Sequence, residues 1–175
     1  MKTRSVIRCL SVAVAVSLCA TMGAASESAV VQPVVEILPA EPRPLVQMAI
    51  LLDTSGSMTG LIDQARTELW SIVNEFILAE RGGRQPEIQV ALYEYGNSGL
   101  SEEAGWIRQI VPFTTDLDKV SEELFALKTN GGQEYCGWVI REAAEKLVWR
   151  GSSDDLKVIF IAGNEPFTQG PVHYA

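Results

Sequence analysis

The sequence predicts an α/β fold in which helices cover both faces of a mostly parallel sheet. Two short apolar runs, Met48 to Leu52 and Lys157 to Ala162, are typical of strands buried inside a layered domain. Segments with apolar residues at helical spacing alternate with strand-like segments along the chain. This alternation is typical of three-layer αβα domains.

The first half of the predicted domain contains a strand, a helix and two further strands. Apolar residues recur at helical spacing from Leu61 to Ile77, and Arg66 is among the polar residues that fall mostly outside that stripe. The segment Ile88 to Tyr95 has the composition of a strand. The segment Trp106 to Phe113 is expected at an edge of the sheet, because Pro112 has no backbone N–H to donate to a neighbouring strand.

The second half is predicted to contain two helices and the last strand. Thr115, with Asp118 three residues later, predicts the start of the first of these helices. Its inward face is expected to carry Leu117, Val120, Leu124 and Leu127. The other helix is expected to present a common apolar face of Ile140, Ala143, Ala144 and Leu147.

The amino-terminal residues are predicted to lie outside the fold. Residues 1–25 combine a basic start, an apolar run and small residues before Ser26, which is typical of a secretory signal peptide. An uncleaved membrane anchor is the alternative interpretation. Residues 26–44 hold four prolines and are expected to form an extended leader, so the domain is predicted to span residues 45–175.

The charge of the chain disfavours two classes of partner, and its cysteine content leaves one thiol to explain. The first 25 residues hold three of the 14 basic residues and none of the 22 acidic ones, so the exported chain has a formal net charge of −11. Such a charge disfavours binding to nucleic acid or to anionic lipid. Cys136 is the only cysteine left after export, and we expect it to be a buried packing residue rather than a reactive thiol.

The loop after the first strand carries the strongest functional signal. It reads Asp53-Thr54-Ser55-Gly56-Ser57, and Asp53, Ser55 and Ser57 occupy alternate positions directly after the apolar run. One carboxylate and two hydroxyls can then present three oxygens on one side of the loop. Hard oxygen ligands suit Mg²⁺ or Mn²⁺ better than zinc or copper. A helix-capping turn is the alternative interpretation.

This strand and loop resemble those of the von Willebrand factor type A (VWA) domain, whose metal-ion-dependent adhesion site opens with Asp-x-Ser-x-Ser. The resemblance covers residues 45–175 and implies a Rossmann-like fold with a mostly parallel sheet and one antiparallel edge strand. A complete domain of this family would continue with further helix–strand units, so the domain is expected to be incomplete at its carboxyl end. The resemblance further implies that Ser55 and Ser57 contact the metal directly and that Asp53 orients bound water.

Two other loops depart from the family pattern. Family members usually read Gly-Gly-x-Thr-x-Thr-Gly in the second loop, and here Glu134 stands in the place of the first threonine, which is a direct ligand. Gly163 stands where the third loop usually has an aspartate. We hypothesise that Glu134 supplies a carboxylate to the metal in place of the lost one; the alternative is that Glu134 points to solvent. Asn164 and Glu165 are possible substitutes for the missing aspartate, or else a turn before Pro166.

These features predict an exported module, periplasmic or extracellular, that binds or adheres to a protein partner. The resemblance implies that an acidic side chain of that partner completes the coordination of the metal. A metal-independent interaction domain with a degenerate site is the alternative. A serine hydrolase would depend on His173, the only histidine of the chain, so we expect no enzymatic activity. We also expect no stable membrane span once the predicted signal peptide is cleaved.

Overall fold

The computed structural model of the protein describes residues 43–80 and 83–171. The predicted signal peptide (residues 1–25), the leader up to residue 42, and His173 lie outside the described residues. The described elements are β1 (Leu45–Asp53), a short 3₁₀ helix (Gly56–Gly60), α1 (Ile62–Leu78), β2 (Glu87–Tyr95), β3 (Ile107–Thr114), α2 (Leu117–Ala126), α3 (Cys136–Lys146) and β4 (Leu156–Ala162).

The described strands form one sheet in the order β3-β2-β1-β4. Strand β1 runs parallel to both of its neighbours, β2 and β4, whereas β3 pairs antiparallel with β2 at the edge. The predicted mostly parallel sheet with one antiparallel edge strand is therefore confirmed.

The two faces of the sheet are covered by different helices, because side chains alternate between the faces along each strand. Met48, Ile50 and Leu52 of β1 belong to a core cluster with residues of α1 and α2. Ala49 and Leu51 belong to a second cluster with residues of α3. The predicted three-layer αβα arrangement is thus confirmed. The buried strand β1 ends at the loop that holds Asp53, Ser55 and Ser57.

Three local expectations are wrong. Strand β4 is only half-buried rather than buried on both faces, because within the described chain it pairs with β1 alone. Asp116, and not Thr115, caps α2: its carboxylate accepts a hydrogen bond from the Lys119 backbone N–H at 3.1 Å. Ala144 is exposed, because the buried face of α3 is formed by Cys136, Gly137, Val139 and Ala143.

Arg66 is buried, which the helical pattern did not predict. Its Nη1 donates to the backbone carbonyls of Phe125 at 2.6 Å and of Leu127 at 3.0 Å, and Nη2 pairs with Asp63. Backbone carbonyls at the carboxyl end of a helix have no partner within that helix. The Arg66 guanidinium satisfies two carbonyls at the end of α2 and fixes that end against α1.

Candidate metal centre

The candidate centre lies at the edge of the sheet where the three parallel strands end. Because β1, β2 and β4 run in the same direction, their carboxyl ends meet at one edge, where ligand sites of open α/β sheets form. The loop after β1, the segment between α2 and α3, and the loop after β4 approach one another there. Backbone hydrogen bonds tie the first of these in place, from Thr54 N to Tyr95 O at 2.8 Å and from Asn130 N to Thr54 O at 2.9 Å.

The loop after β1 brings together its predicted residues. The backbone N–H of Ser55 donates to Asp53 Oδ1 at 2.8 Å, and Ser55 Oγ lies 2.9 Å from Ser57 Oγ. Asp53 and Ser55 are fully buried, whereas Ser57 is exposed. The predicted carboxylate and hydroxyls therefore line a short path from the core to the surface.

The loop after β4 adds an amide oxygen to this group. Ser57 Oγ donates to Asn164 Oδ1 at 3.0 Å, a contact between residues 107 positions apart in the sequence. Asn164 is exposed, as Ser57 is. The structure therefore places Asn164 beside the serine hydroxyls.

One oxygen of Asp53 is left without a partner. Asp53 Oδ2 is buried and accepts no hydrogen bond of normal geometry from the described residues. Burial is the main cause that raises the pKa of Asp53 above its ordinary value; hydrogen bonds from Ser55 and a weaker influence of the Asn164 N–H act in the opposite direction. A buried carboxylate oxygen with no partner is costly, and a cation would satisfy it.

Glu134 lies close to Asp53, next to Gly96 in the loop after β2. A Cβ on Gly96 would lie 2.7 Å from Asp53 Oδ1 and 3.3 Å from Glu134 Cγ, so the two acidic side chains lie side by side over this glycine. The charge of Glu134 adds to the rise in the pKa of Asp53. Gly96 adopts a left-handed conformation, with φ of 82°, which a larger residue adopts only with strain.

Glu165 is engaged by a glutamine that the sequence analysis did not single out. Gln169 Oε1 accepts from the Glu134 backbone N–H at 3.3 Å, and Gln169 Nε2 donates to Glu165 Oε2 at 3.4 Å. Gln169 therefore links the segment that carries Glu134 to the loop after β4. The Glu165 carboxylate thus contacts this amide.

Tyr95 lies beside the candidate centre, although the sequence analysis did not single it out. A Cβ on Gly163 would lie 2.3 Å from Tyr95 Oη and 3.1 Å from Asp53 Oδ2. The phenol therefore occupies space next to position 163, where the family usually has an aspartate. Cys136 Sγ donates to Tyr95 Oη at 3.6 Å, and burial raises the pKa of both groups. The only available signal was the position of Tyr95 at the end of β2.

The spacing of the oxygen atoms of Ser55, Ser57 and Asn164 is compatible with coordination of a hard dication. Cis oxygens around Mg²⁺, at bond lengths of 2.0–2.1 Å, are about 3 Å apart. The distances of 2.9 Å from Ser55 Oγ to Ser57 Oγ and 3.0 Å from Ser57 Oγ to Asn164 Oδ1 match this spacing, although ordinary hydrogen bonds have the same length. Nowhere in residues 43–80 and 83–171 do three His, Cys, Asp or Glu side chains form a metal-binding group, so hydroxyl and amide oxygens would have to supply part of the coordination.

Comparison with known proteins gives matches in structure only. No sequence profile of a protein family and no curated protein matches the chain. The crystal structure of the SpRpn10 VWA domain superimposes with a TM-score of 0.51 and 15% identity, covering 74% of this chain and 64% of that one. The fold is that of a VWA domain. The resemblance noted in the sequence is thus confirmed at the level of the fold.

Two other structures are similar to part of the chain. Both come from the type V pili tip protein Mfa5 of Porphyromonas gingivalis. One, of three N-terminal domains, has a TM-score of 0.45 at 19% identity and covers 68% of this chain and 19% of that one. The other, of the vWF domain, has a TM-score of 0.47 at 16% identity and covers 67% and 37%. This chain therefore spans less than two thirds of the length of each of these three structures.

The described helices include no candidate membrane span. None of those in the part of the chain that the structure describes is long and apolar enough to cross a bilayer.

Proposed function

We propose that the protein is an exported, non-enzymatic VWA module that binds a protein partner through a Mg²⁺ or Mn²⁺ site at the carboxyl end of β1. Asp53, Ser55, Ser57 and Asn164 would hold the cation, with Glu134 as an additional carboxylate. When bound, the cation would supply a Lewis-acidic centre that attracts an acidic side chain of the partner.

The observation that carries this proposal is the unpartnered Oδ2 of Asp53. A buried carboxylate oxygen lacking a partner is uncommon in folded proteins, and it calls for a counter-ion or an ordered ligand. The backbone N–H of Ser55 donates to the other oxygen of this carboxylate, Oδ1, and contacts from Ser55 Oγ through Ser57 Oγ to Asn164 Oδ1 lead to the surface. If this position served only for packing, an apolar side chain in place of Asp53 would make the protein more stable.

Export is proposed from the sequence alone. The basic start, apolar run and small residues of positions 1–25 have the order of a secretory signal. The remaining chain is acidic, which disfavours binding to nucleic acid and to anionic lipid surfaces. Fractionation of cells that express the tagged chain, followed by mass measurement of its amino terminus, tests both the destination and the cleavage before Ser26.

A metal-independent interaction domain is the second candidate. It is favoured by the hydrogen bonds from Ser55 through Ser57 to Asn164, which satisfy these side chains without a cation. The two candidates therefore differ in whether a dication binds at all.

Titration calorimetry of the purified protein with Mg²⁺ and with Mn²⁺ separates them. We expect one site per chain, and we expect Ser57→Ala to weaken binding roughly tenfold or more, as for other groups that orient a metal. Ser71→Ala removes an exposed serine from the middle of α1 and serves as the matched control. No heat of binding with either ion would favour the metal-independent candidate.

A parallel assay addresses enzymatic activity. We expect no turnover of generic ester substrates above that of buffer. Turnover that Ser57→Ala abolishes and that a chelator leaves intact would revive the serine hydrolase interpretation.

A further inference from the structure

A polar cavity lies between strands β2 and β3 and the end of α2. It has a volume of about 360 Å³, which is within the size range of small-molecule sites, and we call it the β2–α2 cavity. Strands β2 and β3 form the side of the sheet away from β4, so the cavity does not border the β4 edge. Four charged side chains line it: Glu94, Arg108, Glu123 and Lys128.

Glu94 is the buried charge of this cavity. Its side chain is only 3% exposed, and the carboxylate lies 2.6 Å, measured at Oε1, from Nη2 of Arg108, the residue opposite it on β3. The second oxygen, Oε2, contacts the hydroxyl of Thr54 at 3.4 Å, which is long for a hydrogen bond between two oxygens. That hydroxyl also lies 3.2 Å from the backbone carbonyl of Tyr95.

The Thr54 hydroxyl cannot satisfy both of these acceptors. A hydroxyl carries one proton, and the Tyr95 carbonyl is the nearer acceptor. Among the described residues, Glu94 Oε2 is therefore left without a donor of its own, in the wall of a cavity. A buried carboxylate oxygen in this state is costly, so the cavity favours a ligand that donates a hydrogen bond, and an ammonium group above all.

The other charges of the cavity favour a ligand that also carries a carboxylate. The side chain of Arg108 is 56% exposed and has further N–H donors, so it can bind a carboxylate while it pairs with Glu94. Glu123 and Lys128 form no ion pair with another described residue. The cavity thus presents both acidic and basic groups, which complement a zwitterion. Because Glu94 and Arg108 are neighbours, they suit an ammonium and a carboxylate carried by the same carbon atom.

We propose that the β2–α2 cavity binds a free α-amino acid with an aliphatic side chain. The ammonium group donates to Glu94 Oε2, and the carboxylate accepts from Arg108. The aliphatic side chain packs on the apolar wall of the cavity, which consists of Leu100, Ala126 and Leu127. This inference is independent of the candidate metal centre, because none of these residues is among the proposed ligands of the cation.

Titration calorimetry of the purified protein in a chelator tests the zwitterion with probes that share one side chain. The probes are leucine, leucinamide, which lacks the carboxylate, and N-acetylleucine, which lacks the ammonium. We expect leucine to bind at one site per chain. Each analogue should bind at least about tenfold more weakly, because it loses a charged hydrogen-bonding group. Glycine should bind about tenfold more weakly than leucine, because it leaves the apolar wall in water.

Variants locate the binding in the cavity. Glu94→Gln removes the buried charge at nearly constant volume and should weaken leucine binding at least about tenfold. Lys128→Gln and Glu123→Gln should each weaken it about threefold, as for exposed ion pairs. Lys119→Gln and Glu122→Gln, at exposed positions on α2, are the matched controls and should leave the affinity unchanged. Because Lys128 is exposed, its variant keeps the test valid even if Glu94→Gln fails to fold.

The outcomes that would overturn this inference are distinct from those that bear on metal binding. Equal affinity of leucine and either analogue would overturn the zwitterion. No heat of binding with leucine at millimolar concentration would overturn the amino-acid site. Leucine binding that the Lys128 and Glu123 variants weaken no more than their controls do would overturn its placement in the cavity. Metal binding is tested separately by the Ser57→Ala calorimetry.

Discussion

The hydroxyl of Tyr95 and the α-carbon of Gly163 approach so closely that no side chain fits between them. A Cβ at position 163 would lie 2.3 Å from Tyr95 Oη, well inside any normal contact. Tyr95 is fully buried at the end of β2, so its ring cannot turn away into solvent. The Tyr95 hydroxyl therefore occupies the space that any side chain at position 163 would need.

Gly163→Ala is expected to destabilise the protein by about 1–3 kcal/mol, the usual cost of overpacking a well-filled region. Tyr95→Phe removes the atom that the new methyl group meets, so the double variant should recover most of that loss. Gly60→Ala is the control, because no atom lies within 4 Å of a Cβ there. Urea denaturation of the four variants measures the coupling, and additive losses would contradict this account.

The metal-free protein is expected to lose stability as pH rises above about 4. The folded-state pKa of Asp53 is raised by burial, while the unfolded chain ionises near the ordinary value of 3.8. Between those two values the folded state binds more protons than the unfolded state, so its stability falls with rising pH. The fall is complete once the pH exceeds the raised pKa.

Asp53→Asn tests this assignment. The variant should show a smaller fall over the same range, and at pH 7 it should be more stable than the metal-free wild type by about 1–2 kcal/mol, because an unpartnered buried charge is gone. It should also lose Mg²⁺ binding. Thermal unfolding in a chelator from pH 4 to pH 8 provides the measurement, and parallel curves for both proteins would exclude Asp53 as the cause.

Glu134→Thr is expected to weaken Mg²⁺ binding by about tenfold. The two acidic side chains lie side by side over Gly96, so Glu134 adds negative charge next to the carboxylate of Asp53. An added carboxylate strengthens binding of a hard dication. Calorimetry of this variant against Glu145→Thr, an exposed glutamate on α3, gives the comparison. Tighter binding by Glu134→Thr would end the hypothesis that Glu134 supplies a carboxylate.

Arg66→Ala is expected to destabilise the protein by about 2–4 kcal/mol. The change removes two hydrogen bonds from a charged donor and leaves the carbonyls of Phe125 and Leu127 to find new partners. Lys119→Ala, at an exposed position on α2, should change stability by less than about 0.5 kcal/mol. Equal effects of the two substitutions in chemical denaturation would contradict the role assigned to Arg66.

The layered fold could be predicted because its signals are local. The alternation of strand-like and helical periodicity lies within short windows, and β1 delivers its apolar residues to both faces as its composition indicated. The oxygen-rich loop after β1 was predictable for the same reason, since Asp53, Ser55 and Ser57 are two residues apart. Burial of β4 was not, because it depends on which strands lie beside it.

The rest of the site depends on contacts between distant parts of the chain. From the sequence, Arg66 is expected on the solvated face of its helix. It is buried because it bonds to carbonyls 59 and 61 residues away in the chain. The position of the Tyr95 hydroxyl against Gly163, and the link that Gln169 makes between two loops, likewise arise from tertiary packing. Sequence patterns with helical or strand periods carry no information about such pairs.

The guanidinium of Arg66 gives the domain a mechanical connection. It fastens the end of α2 to α1, and the segment that leads to Glu134 starts from that same end. The two helices lie on the same face of the sheet, so a change in the contact between them would also displace the segment that carries Glu134.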